Sequence, residues 1–347
     1  MQLLKTENFK HSSLAPLKDL RVDQKIKVLI VYDGSENAEI ALDDLKRAGL
    51  PPGAEALALV TDVCLPSSPE DINRAVADRR MMVLKSGVSS FVPALRNVEE
   101  QRVMSQKIER RLRSMFPVGE IKLEAWPERN SIRRGTVRKA EAWGADLIVI
   151  GSKESPSPHI TDYCGAAVEI AAQSHCSARI ARPSNGVAGA PVRIVIGVDG
   201  SPNANNCFRA AAQRSWPKGS QARVVVVPKP GPRIDMFPAT VASTLDGKRR
   251  TLAARMIEQG IEDLGAAGLK VSVATREHLP LNVLIEEARE WGANCLFVDA
   301  LGFRRTESNK GATSVSNVVK ALAMGAPCSV EIVRGKSLSE EFLSPAA

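Results

Sequence analysis

The feature that most constrains this chain is that its sequence is written twice. KVLIVYDGSENAEIAL, starting at Lys27, is echoed by RIVIGVDGSPNANNCF, starting at Arg193. AEAWGADLIVIGS, starting at Ala140, is echoed by AREWGANCLFVDA, starting at Ala288, and HCSARIARP, starting at His175, by PCSVEIVRG, starting at Pro327. The paired blocks keep their order and lie about 150 to 165 residues apart, the size of an ordinary domain. Three separated blocks repeating in one order imply two copies of one fold within the 347 residues. The expected division is an arm over 1–24, a first domain over 25–183, a Gly- and Pro-containing linker over 184–191, a second domain over 192–335 and a tail over 336–347.

Each copy alternates strand with helix. In the first, β-branched or apolar runs predict strands at Ile26–Tyr32, Ala56–Val63, Lys122–Trp126, Asp146–Ile150 and Ala178–Ala181. Amphipathic periodicity predicts helices at Glu36–Arg47, Asn97–Met115, Ile132–Trp143 and Ala166–Gln173. In the second copy the strands are Ile194–Val198, Arg223–Val227, Lys270–Ala274, Cys295–Val298 and Ser329–Val333. Its helices are Asn203–Arg214, Arg249–Leu264, Asn282–Trp291 and Thr313–Met324. Strand–helix alternation with right-handed crossovers gives an α/β, doubly wound, five-stranded parallel sheet per copy. A ligand crevice then opens at the carboxyl ends of the strands, where the strand order reverses. A long excursion at about 64–96 interrupts the first copy and carries no strand pattern.

Composition removes several classes of function. A net charge of +8 would suit nucleic acid, but the basic residues are scattered and aromatics make up only 4%, too few for a base-stacking platform. The basic cluster Arg133, Arg134, Arg138 and Lys139 reads as a solvated helix face. No apolar run approaches the roughly 20 residues of a membrane helix, and the N-terminus lacks the apolar stretch of a signal peptide. The expected location is the cytoplasm. The six cysteines form no CxxC pair or metal-ligand spacing and read as small buried hydrophobes. The histidines His11, His159, His175 and His278 have no patterned Ser, Cys or carboxylate partner. No catalytic residue and no metal site is expected, and at most slow ATP hydrolysis.

Two elements can hold a nucleotide. Asp33-Gly34-Ser35 and Asp199-Gly200-Ser201 end the first strand of each copy. A carboxylate there can accept hydrogen bonds from ribose hydroxyls or an exocyclic amine; the same residues also serve as a helix cap. After the fourth strand come Gly151-Ser152 and then Gly165 in copy one, and Asp299, Gly302 and then Thr313-Ser314-Val315 in copy two. Glycines let backbone amides approach phosphate, and a helix N-terminus favours negative charge. An ordinary glycine turn is the alternative use of these residues. Trp143 and Trp291 precede glycine at matching helix ends and are expected to pack those ends onto the sheet.

With these residues in view, the chain resembles a tandem universal stress protein. The resemblance rests on KVLIVYDGS, GADLIVIGS and CSARIARP in copy one, and on RIVIGVDGS, GANCLFVDA and TSVSNVVKALAMGAPCSVEIVR in copy two. It implies flavodoxin-like domains that pair through their fifth strands, and in many members ATP bound at a Gly-x-x-Gly, spacer, Gly-Ser/Thr loop. It also implies that Val60 and Val226, on the second strands, offer backbone groups to adenine, although the residues themselves read first as plain strand core. Both loops depart from the pattern. Copy one has Glu154 for the second glycine and Ala166 for the hydroxyl; copy two has Asp299 for the first glycine but keeps Gly302, Thr313 and Ser314. A carboxylate beside phosphate is repulsive unless offset; Arg304, Arg305 and Lys310 are bases that can offset Asp299, a solvated loop being their alternative use.

The expectation is therefore an intrachain pseudo-dimer, joined by its two fifth strands, that binds adenine nucleotide (ATP, with or without Mg²⁺) chiefly in the second domain. It would act in the stress response as a regulatory module, with a homodimer or protein partner open. The alternative is a nucleotide-independent pseudo-dimer that binds other proteins.

Overall fold

The computed structural model describes residues 25–60, 91–125, 132–152, 162–184, 186–187, 189–227, 255–276, 279–303 and 315–335. Side chains in the helices opening at Phe91 and Asp162 are described from 103 and 165 onward. The first half runs β1 (Lys27–Tyr32), α1 (Glu36–Leu45), β2 (Glu55–Val60), α2 (Phe91–Met115), β3 (Ile121–Ala125), α3 (Ile132–Trp143), β4 (Leu147–Gly151), α4 (Asp162–Gln173) and β5 (Ser177–Ala181). The second runs β6 (Arg193–Val198), a 3₁₀ turn (Pro202–Ala204), α5 (Asn205–Ala212) and β7 (Gln221–Val226). A helix over 255–266 (α6) leads to β8 (Lys270–Thr275), α7 (Pro280–Glu290), β9 (Cys295–Asp299), α8 (Asn317–Gly325) and β10 (Ser329–Val333). The arm at 1–24, the excursion at 61–90 and the tail at 336–347 lie outside the described residues.

Among the described residues, ten strands form one sheet in the order β3-β2-β1-β4-β5-β10-β9-β6-β7-β8. Each half is parallel, and only the β5–β10 seam is antiparallel, with Val330 opposite Ile180, Glu331 opposite Arg179 and Ile332 opposite Ala178. The expected joining of the fifth strands is what the sheet displays.

The halves repeat in detail. The main-chain nitrogens of Lys27 and Arg193 donate to Asp146 Oδ2 and Asn294 Oδ1, both at 2.8 Å. Their side chains donate to the carbonyls of Trp143 and Trp291. Both indoles pack against the core, and each sits under a cation, Lys27 over Trp143 and Arg223 over Trp291. Gly34 and Gly200 follow the first strands at φ +77° and +73°. A left-handed residue there turns the chain from strand to helix, which gives both glycines a backbone reason to be present. Ser35 then caps α1, accepting from Ala38 N at 3.3 Å.

Strand side chains alternate between two helical layers. On one face a single apolar cluster runs across both halves, taking in Leu29, Ile148 and Ile180 with Val195, Leu296 and Ile332, under α3, α4, α7 and α8. The opposite face holds two separate clusters, one under α1 and α2 and one under α5 and α6. Between them the seam is ionic. Arg179 Nε donates to Asp44 Oδ2 at 2.5 Å and its Nη1 to Glu331 Oε2 at 3.0 Å, while Arg214 Nη2 pairs with Glu331 Oε1. Asp44, Arg179 and Glu331 are at most 1% exposed. Burial alone would lower the Arg179 pKa, but Asp44, Cys295 and Glu331 outweigh it and hold it above the usual guanidinium value.

Candidate functional site

Within each half the strand order reverses beside the first strand, because β1 lies between β2 and β4 and β6 between β7 and β9. The crevice rule for doubly wound sheets therefore points to the carboxyl ends of β6 and β9 in the second half. There Asp199 is 6% exposed. Its Oδ1 accepts from Ser201 N at 3.0 Å and its Oδ2 from Phe303 N at 2.9 Å. The second bond ties the end of β6 to the turn after β9. That turn closes on itself, with Gly302 N donating to the Asp299 carbonyl and Ser316 N to the Ala300 carbonyl, both at 2.9 Å. Phe303 is the one non-glycine residue with positive φ among the described residues, at +62°. Its ring is buried beside Gly197 and Leu284. Phe303 and Val315 belong to the cluster under α7 and α8, so Asp199, the 301–303 turn and the approach to α8 share one face of the sheet.

The helix expected from Thr313 begins at Asn317, with Ser316 as its cap accepting from Val319 N at 3.2 Å. The correction has a local cause: a serine in extended conformation (φ −66°, ψ 153°) supplies the side-chain acceptor where the helix starts. Thr313, Ser314, Arg304, Arg305 and Lys310 lie outside the described residues.

Asp299 does not share the face of Asp199. Along β9, Leu296 and Val298 point into the α7–α8 cluster while Cys295 and Phe297 point into the α5–α6 cluster, and Asp299 follows the latter pair. Its Oδ2 accepts from Asn206 Nδ2 on α5 at 3.1 Å and its Oδ1 from Leu301 N at 2.9 Å. Burial pushes its pKa up to about 6, against the lowering effect of those two hydrogen bonds. Asp299 thus points toward α5, away from the face that carries Asp199.

In the first half, Asp33 Oδ1 accepts from Ser35 N at 3.0 Å, matching Asp199. The other first-half residues serve packing. A Cβ on Gly151 would stand 1.6 Å from the Asn37 carbonyl oxygen of α1. Ser152 is buried and its Oγ accepts from Arg182 Nη1 at 3.2 Å. Gly165 lies inside α4, which starts at Asp162 rather than near Ala166, so it is a helical residue and not a loop hinge. Glu154 and Lys153 are outside the described residues. Val60 is fully buried in the α1–α2 core. The Val226 carbonyl accepts from Arg276 N at 3.0 Å, so that backbone oxygen is already engaged at the strand end.

Sequence reasoning missed Asn206, Phe303 and Arg182. Phe303 carried a legible signal, a large aromatic directly after a loop glycine. Arg182 and its counterpart Arg334 reach across the seam. Arg182 Nη2 donates to the Ala323 and Met324 carbonyls at the end of α8, and Arg334 Nη2 to the Ala171 and Ala172 carbonyls at the end of α4.

Residues 192–334 match the model of the universal stress protein family. The second half is a universal stress protein domain. The whole chain has the fold of a tandem universal stress protein. It is similar to the crystal structure of a universal stress protein from Archaeoglobus fulgidus, at 14% identity and a TM-score of 0.53 over 89% of this chain and 98% of that one. A universal stress protein family protein from Arabidopsis thaliana with AMP bound is similar at 11% identity, over 43% of this chain and 95% of that one, with a TM-score of 0.29. A universal stress protein in complex with cAMP is similar at 20% identity, over 42% and 98%, with a TM-score of 0.28. No curated protein matches the chain. Among the described residues, no helix is long and apolar enough to cross a membrane.

Proposed function

We propose that the protein is a cytoplasmic stress-response module that binds adenine nucleotide, chiefly in its second half, and acts through binding rather than turnover. The site comprises Asp199, Gly200 and Ser201 at the end of β6, Gly302 in the turn after β9, and the segment Thr313-Ser314-Val315 leading into α8. The observation that carries this reading is the Asp199–Phe303 hydrogen bond, which draws the end of β6 and the turn after β9 together at the strand-order reversal, on the face where α8 begins. The orientation of Asp299 toward α5 supports it, because that face is left without a carboxylate at the loop position. The relatives described with AMP and cAMP name the ligand class.

The test is direct. Purified protein is denatured with acid and the released nucleotide identified, and the nucleotide-free protein is then titrated with ATP, with and without Mg²⁺. Gly302→Glu is expected to abolish binding by placing a carboxylate at the phosphate approach. Gly302→Ala is the control: its Cβ would lie 3.1 Å from the Asp299 carbonyl oxygen, a contact that a small shift of the turn relieves. It is expected to bind within about threefold of the parent, a difference of under 1 kcal/mol. Equal loss from both variants, or a parent that neither carries nor takes up nucleotide, overturns the reading. The second reading, a pseudo-dimeric scaffold that binds proteins without nucleotide, has its own supporting observation: both Asp199 oxygens already accept backbone amides.

A further inference from the structure

The local two-fold axis of the tandem passes between Arg179 and Glu331. These residues hold the same place in CSARIARP and CSVEIVRG, and they stand opposite each other in the β5–β10 ladder. In a symmetric pair built from two identical halves, a residue at this place faces its own copy. Here it faces an opposite charge.

Other seam contacts kept their symmetry. Ser177 Oγ accepts from Arg334 N at 3.1 Å and Ser329 Oγ from Arg182 N at 3.0 Å, and Arg182 and Arg334 cap each other's helices. The buried charges differ between the halves. Asp44 has Ala210 as its counterpart in the repeat, and Arg214 has Ala48. The first half thus supplies Asp44 and Arg179, and the second supplies Glu331 and Arg214. In line they read negative, positive, negative, positive, with three attractive contacts. A hydrogen bond from Ser329 Oγ to Asp44 Oδ1 at 2.8 Å crosses the seam beside them.

We propose that this ordered line of charges is a selectivity device: each half accepts the unlike half along its fifth strand and rejects a like one. Pairing two first halves would set arginine against arginine at the centre, and pairing two second halves would set glutamate against glutamate. Either arrangement keeps two attractive contacts but puts a repulsive one at the buried axis, where like charges directly opposite are most unfavourable. An open fifth strand is otherwise a template for any similar edge. Here the partner that fits is the complementary half of this chain, and a second copy presenting its matching half is excluded by an introduced repulsion. The inference does not depend on nucleotide binding.

Variants of the full chain that preserve the number of buried charges of each sign test it. Glu331→Arg with Arg214→Asp keeps two positive and two negative buried charges but reorders them negative, positive, positive, negative. Asp44→Arg with Arg179→Glu gives positive, negative, negative, positive. All four substitutions together restore alternation with the sign reversed. Hydrogen exchange at β5 and β10 is the readout, with β1 and β6 as internal references. Each two-site variant is expected to lose at least about 100-fold of seam protection, and the four-site variant to recover at least about tenfold of that. If a two-site variant does not fold, recovery of folded four-site protein is the same rescue. Two-site variants within about threefold of the parent, or a four-site variant no better protected or folded than they are, would show that order is irrelevant and overturn the proposal.

Discussion

Gly151→Ala is expected to destabilise the protein by at least about 3 kcal/mol, although it adds one methyl group. Overpacking a core with flexible side chains costs about 1–3 kcal/mol, but here the obstacle is main chain. The new Cβ would lie 1.6 Å from the Asn37 carbonyl oxygen and 2.5 Å from its carbonyl carbon, so α1 itself must move away from β4. That helix carries Ala38, Ala41 and Leu42 into the core and Asp44 into the seam. The cost is read from urea unfolding at constant slope. A loss under about 1 kcal/mol would mean that α1 is not seated on this glycine. The second half shows the other solution to the same contact. Asp299 holds the Gly151 position, three residues of 3₁₀ turn replace the first turn of α-helix, and Asn206 meets the carboxylate.

Asp299→Asn is expected to stabilise the protein by about 1–2 kcal/mol at pH 7.5 and to have almost no effect near pH 4. Unfolded, Asp299 ionises near its ordinary value of 3.8; folded, burial holds its pKa up at about 6. Between those values the folded state binds more protons, so stability falls as pH rises through that window and stays lower above it. The full difference is about 3 kcal/mol, and weaker hydrogen bonds to a neutral amide give part of it back. The variant lacks this slope. Its new amide N–H can also serve Asn206 Oδ1, a buried oxygen without a hydrogen-bond partner, once the Asn206 amide turns over. Urea midpoints of parent and variant at pH 4, 5, 6 and 7.5 decide the matter. A variant less stable than the parent at pH 7.5, or a difference that does not change with pH, would sink it.

These two residues show what was legible in the sequence and what was not. Each predicted strand appears in the sheet with ends shifted by a few residues at most, because short runs rich in β-branched residues and bounded by turn residues, such as KVLIVY, favour buried strands. The repeat revealed the pseudo-symmetry, and an exposed fifth edge anticipated the seam. Gly151 was read for what a glycine lets a ligand do, while its actual neighbour is the carbonyl oxygen of residue 37, a contact that strand pairing alone does not encode. The orientation of Asp299 was available from the period of two along Cys295, Phe297 and Asp299, had alternation been carried one residue past the apolar run. The Asp44–Arg179–Glu331–Arg214 line could not be read locally, because its members are scattered through the chain. The only sign was a charge set inside each apolar fifth strand.

The apolar layer beneath α3, α4, α7 and α8 has no boundary at the seam, since Ile180 and Ile332 belong to one cluster. On this face, therefore, neither repeat has a hydrophobic interior of its own. Heating is expected to melt the whole chain in one calorimetric event, with the enthalpy from peak shape equal to that from peak area, so a lesion in one repeat weakens both by the same amount.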